Sequence, residues 1–148
     1  MKPEADQLLR VLAGTLLTDL APGLSEDYEK RSAMVASMLL VAVAEEWDRS
    51  ASRRAEENAA LREIFAEAVP QLADAELRAR IEEAAGARPS GLRISELESE
   101  NARLRGLLID LHAHVETLDT PESRALENAI WLELCRSTER RALSIAPF

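Results

Sequence analysis

Between Ser32 and Ala44 the chain reads SAMVASMLLVAVA, a stretch with no charged residue and only two hydroxyls. Wound into a helix, it is apolar on nearly every side from Arg31 to Ala44. A surface helix exposed to water does not tolerate that pattern, whereas a helix surrounded by other helices requires it. The stretch is too short for the roughly 20 apolar residues of a membrane span, so it predicts a central helix in a soluble bundle with no membrane partner.

The rest of the chain supplies the helices to surround it. The sequence is 47% hydrophobic and 30% charged, with 3% aromatic residues and five glycines among 148 residues, a composition that favours helix and one modest core over two. Leu8, Leu9, Leu12, Leu16 and Leu20 recur at helical spacing from Glu4 to Leu20, and Pro22 with Gly23 stops that helix. Ser25 is placed to cap the next one. Its tail around Ser50 and Ser52 reads as a kink or a cap, leaving open one long bent helix or two. Leu61, Ile64, Phe65, Ala68 and Val69 form a stripe ended by Pro70, and Leu77 with Ile81 marks a short helix closed by Gly86. GARPSG is the clearest loop. Thr120, Pro121 and Glu122 begin a final helix, whose buried side is expected to carry Leu126, Ile130, Leu134 and Thr138, with Trp131 and Cys135 beside them. The expectation is an all-α fold: a single-domain helical bundle, residues 1–148, of about five helices, one of them central and apolar, with a loop near 86–91.

Residues 94–118 raise a second possibility. Ile94, Asn101, Leu108 and Val115 fall on one heptad position and Leu97, Leu104, Leu111 and Leu118 on its partner, with Asn101 where a zipper keeps a polar register-setter. The pattern lasts only about three and a half heptads, and Leu107 and Ile109 widen the stripe beyond a two-position seam. Packing inside one chain is the preferred reading, and a homodimeric coiled coil the alternative.

Chemistry is thinly represented. The formal charge of −9 repels a phosphate backbone, so no nucleic-acid partner is expected. Cys135 is the single cysteine, which excludes an intramolecular disulfide, suits a cytoplasmic protein and fits a buried packing role. His112 and His114 point about 200° apart on a helix. His112 and Glu116 share a face but lack a third ligand, so no metal or other cofactor is expected. Glu45 or Glu46 is expected to be partly buried in an ion pair, with Arg31 or Arg136 as partner. No catalytic residue is assigned. The candidate interface residues are Trp47, Arg53, Arg54, Leu107, Trp131, Arg140, Arg141 and Phe148, a set of aromatic, apolar and arginine side chains of the kind that anchor interfaces.

The stretch LAPGLSEDYEKRSAMVASMLLVAVAEEWDR, with Pro22, Tyr28, Arg31, Ala36, Leu40 and Glu45, resembles the front half of a small helical family of unknown function, the DUF6285 type. ENARLRGLL resembles that family's later Asn-x-x-Leu helix. The match covers about two thirds of the chain, and the close, RRALSIAPF, departs from the basic, proline-containing end of the family. The resemblance implies a non-enzymatic accessory subunit that binds a larger enzyme, a kinase-like (aminoglycoside- or choline-kinase-like) phosphotransferase acting on hydroxyacyl-CoA or related substrates.

Overall fold

Local signals in the sequence set several of the helix boundaries in the computed structural model, which describes residues 4–89 and 91–144. Among these residues there are five α-helices and no strand. Helix α1 covers Ala5–Thr15 and widens into a π-helical turn at Leu16–Leu20. The Thr18 hydroxyl donates to the Gly14 carbonyl at 3.0 Å, a side-chain bond to the preceding turn of a kind that often accompanies helix distortion. Pro22 then ends the run in a short 3-10 turn, Ala21–Gly23.

Helix α2 spans Asp27–Ala68 without a break, 42 residues, with Asp27 and Glu29 in its first turn where the helix dipole favours negative charge. It begins two residues after Ser25, and the serines at 50 and 52 lie within it. Pro70 closes it through a 3-10 turn, Val69–Gln71. Helix α3, Ala75–Gly86, is capped by Asp74, whose carboxylate accepts from the Glu76 and Leu77 amides at 2.9 and 3.0 Å. Those bonds, that of Leu77 foremost, hold the Asp74 carboxyl below its ordinary pKa. Helix α4, Ile94–Val115, opens with the Glu96 carboxylate accepting from the Arg93 amide. Helix α5, Pro121–Arg141, opens on reciprocal bonds between Thr120 and Ser123, at 3.0 and 3.1 Å.

The helices divide into two compact units. Among described residues the first runs to Ser50 and includes Leu143 and Ser144; the second is Ala51–Ala142. In the first, α1 and the opening part of α2 meet through small residues. Its buried apolar side chains are Ala13, Ala33 and Ala44. The buried Ser37 hydroxyl donates to the Ala13 carbonyl at 2.9 Å, which fixes one helix against the other.

The position expected for the apolar stretch is therefore corrected. Met34, Val35, Leu39 and Val43 are 44–61% exposed, so this part of α2 is not the surrounded centre of a bundle. The physical reason lies in the contact itself: alanines and Ser37 are the buried positions towards α1, Met38, Leu40 and Val41 are only partly covered, and Met34, Val35, Leu39 and Val43 project into solvent.

The second unit holds the core. Leu61, Ile64, Phe65 and Ala68 of α2 pack with Leu77, Ile81 and Ala84 of α3, Leu104 to Val115 of α4, and Leu126 and Ile130 of α5. The heptad seam is consumed here except at its ends, where Ile94 and Leu118 are 40 and 37% exposed. Leu97, Leu104, Leu108, Leu111 and Val115 are all buried. Asn101 donates through Nδ2 to Asn58 Oδ1 at 2.8 Å, and Asn58 donates to the Leu97 carbonyl at 3.1 Å. The polar residue that looked like a zipper's register-setter aligns α4 with α2 of its own chain. Ile109 is 69% exposed, so it does not widen the buried stripe.

Helix α5 buries Ser123, Leu126, Ile130, Glu133 and Ser137. Thr138 and Cys135 are exposed and Leu134 is only partly covered, which corrects the stripe expected there. Three of the five buried positions are polar, so an apolar pattern could not reveal the face. No helix among the described residues is long and apolar enough to cross a membrane.

Candidate functional site

Helical geometry brings Val35, Leu39, Val43 and Trp47 into one row, because residues four apart lie nearly above one another. Their exposures are 44, 61, 51 and 58%. Tyr28, two turns before Val35, is 81% exposed, with the polar Arg31 and Ser32 between them. On α1, Leu8, Val11 and Leu12 are also exposed. Single exposed hydrophobics are ordinary, whereas a row of them along one helix face is not.

A polar clasp lies on the other side of the helix, since Glu45 stands two residues from both Val43 and Trp47. Glu45 is buried and accepts from the Ser144 amide at 3.1 Å through both carboxylate oxygens, from the Ser144 hydroxyl at 2.5 Å, and from Arg49 at 2.5 Å. The bond from the Ser144 side chain, foremost, holds the Glu45 carboxyl below its usual pKa. The partner expected from sequence was Arg31 or Arg136; the nearer Arg49, one turn along the same helix, takes that place. A carboxylate with this many donors is a fixed anion, whereas general-acid work near neutral pH needs the opposite shift.

The second unit ties its helices by arginine–carboxylate pairs. Buried Glu57 accepts from Arg105 at 2.8 Å and from Arg141 at 2.7 Å. Burial pushes its carboxyl up, and the two arginines together with Ser137 outweigh that and hold it low. Glu133, also buried, pairs with Arg140, yet burial dominates and its carboxyl is raised. Arg62 pairs with Glu100, and Arg54 with Glu98.

The interface residues expected from sequence fall into distinct groups. Trp47 and Trp131 are both more than half exposed, though not in the same unit. Leu107 is 7% exposed and belongs to the core cluster, and Arg53 is 7% exposed, so a surface role for either is corrected. Arg54, Arg140 and Arg141 are engaged with Glu98, Glu133 and Glu57 and serve the second unit's internal pairing. Phe148 lies outside the described residues. Sequence reading missed Val35, Leu39 and Val43 because an apolar run reads as core until its neighbours are known.

One group of potential ligands is brought together by the fold. His112 on α4, Glu116 at its C-cap and Glu127 on α5 place their ligand atoms within 4.8 Å of one another. In comparisons with family models, curated proteins and solved structures, the chain matches none.

Proposed function

We propose that this protein is a non-catalytic interaction protein that binds a larger protein through the row Val35, Leu39, Val43 and Trp47 on α2. The observation that carries this reading is the exposure of that row in a unit whose own contact buries only alanines among its apolar residues. Covering half-exposed side chains of this size is worth on the order of 1 kcal/mol each, so a partner groove that takes the row gains several such increments. The expected partner, from the family resemblance, is a kinase-like phosphotransferase, and the site of action is the cytoplasm.

The same row favours one further reading, a homodimer in which two hairpins cover each other. A face of this kind can be self-complementary about a two-fold axis. It is better supported than a coiled coil through residues 94–118, whose seam residues already pack within the second unit.

Co-purification from the native host, with identification of the bound protein by mass spectrometry and of the assembly mass by light scattering, tests both. A larger phosphotransferase-type enzyme held by the wild type and lost in Leu39→Asp supports the accessory role. A dimer lost in the same variant supports self-association. Recovery of the wild type as a free monomer sinks both.

A further inference from the structure

We propose that His112, Glu116 and Glu127 form a binding site for a divalent transition-metal ion of the zinc type, clamping the last turn of α4 to the first half of α5. Two ligands come from one helical turn, since His112 and Glu116 stand four residues apart on the same face. The third comes from the neighbouring helix across the short connection at 117–120. One imidazole nitrogen and two carboxylate oxygens are a donor set that zinc accepts, with water completing four-coordination.

The geometry is close to what the ion requires. The three ligand atoms lie within 4.8 Å of one another, and His112 Nε2 is 3.6 Å from Glu116 Oε1. Tetrahedral coordination at roughly 2.0–2.1 Å places ligand atoms about 3.4 Å apart. The His–Glu edge is therefore almost at its bound length. The remaining contraction falls to glutamate side chains with room to turn: Glu116 is 58% exposed at its side chain and Glu127 is partly exposed.

An independent observation points to a ligand at this place. His112 Nε2 is shielded from solvent and has no hydrogen-bond partner within the protein, and buried polar atoms are nearly always satisfied. The atom faces Glu116 at a separation beyond hydrogen-bond range but suited to sharing an ion. The imidazole is also held in orientation, because the Trp131 ring meets it edge to face at a centroid distance of 5.4 Å and 84°. Trp131 is four residues beyond Glu127 on α5, so one face of that helix supplies both the ring that orients the histidine and the carboxylate that completes the set. The protein's net charge of −9 adds a field that draws cations.

The test uses the tag-free full chain carrying Cys135→Ser, so that the exposed thiol cannot supply a ligand. Zinc is titrated calorimetrically, and cobalt(II) is followed by its visible spectrum. The expected result is one ion per chain in the micromolar range, a cobalt spectrum without thiolate charge transfer, and a melting temperature that rises with zinc. Glu127→Gln, which keeps the side chain's shape, should weaken binding tenfold or more with helicity unchanged, and His112→Ala should do the same. Glu122→Gln, on α5 but outside the cluster, should bind as the parent does. Absence of a saturable one-to-one site overturns the proposal, and so does equal affinity in Glu127→Gln; either result leaves a water molecule as the partner of His112 Nε2.

Discussion

The two units are built from the same helical material but use it in opposite ways. In the first, the buried residues at the helix contact are small, and Met34, Val35, Leu39, Val43 and Trp47 of α2 face water. In the second, Phe65, Leu61, Ile81, Leu104, Leu111 and Ile130 are almost completely enclosed, and the buried polar atoms of Asn58 and Asn101 satisfy each other. The stretch richest in apolar residues is thus the less buried of the two. Hydrophobicity drives burial only where there is a surface to be buried against, and a pair of helices has too little of it.

Substitutions separate the units by their energetic consequences. The largest effect is expected from Phe65→Ala, which removes a fully enclosed ring and should cost about 3–5 kcal/mol by denaturant unfolding. Asn58→Ala strands Asn101 and the Leu97 carbonyl, and should cost about 1–3 kcal/mol by the same measurement. Thr120→Ala removes the α5 cap and should cost about 1 kcal/mol. Leu39→Ala should change the stability of the isolated chain by less than about 0.5 kcal/mol, as for other exposed positions, while reducing partner capture. A loss in Leu39→Ala comparable with that in Phe65→Ala would erase the contrast.

Acid sharpens the same comparison within the second unit. Glu57 has a folded pKa below that of an unfolded glutamate, about 4.3, so its stabilising contribution is complete above that value and disappears as pH falls through the folded pKa. Glu133 has a raised folded pKa. Its contribution runs the other way: stability is lost as pH rises from about 4.3 through the folded value. Unfolding curves between neutral pH and pH 3 should therefore show Glu57→Gln flattening the acid-side loss. Glu133→Gln should instead remove the decline on the rising side. Matching profiles for the two variants would contradict the assignment of burial as the dominant influence on Glu133 alone.

Much of the secondary structure was legible because it rests on local chemistry. Pro22 and Pro70 end helices, Thr120 and Pro121 begin one, and the glycines at 86 and 91 bracket the clearest loop. The stripe Leu61, Ile64, Phe65 and Ala68 was readable as a buried face, since its period matches the helix and its partners are equally apolar. The buried face of α5 was not readable, because Glu133 and Ser137 are covered only by virtue of the helices that surround them. Cys135 was misplaced for the same reason. The ligand group was half legible: His112 and Glu116 share a helix and a spacing, whereas Glu127 joins them only when α5 folds back along α4.

By itself, the sequence determined that this chain is helical, where most of its helices begin and end, and which residues are too apolar to be indifferent to water; that α2 runs unbroken through Ser50 and Ser52 it left open. Those properties depend on neighbours within one or two turns. Only the tertiary structure decided which apolar faces found cover, that Asn101 would meet Asn58, and that a glutamate from α5 would stand beside His112. Such outcomes depend on contacts between residues far apart in the chain, and a helical periodicity says which face is apolar without saying what will lie against it.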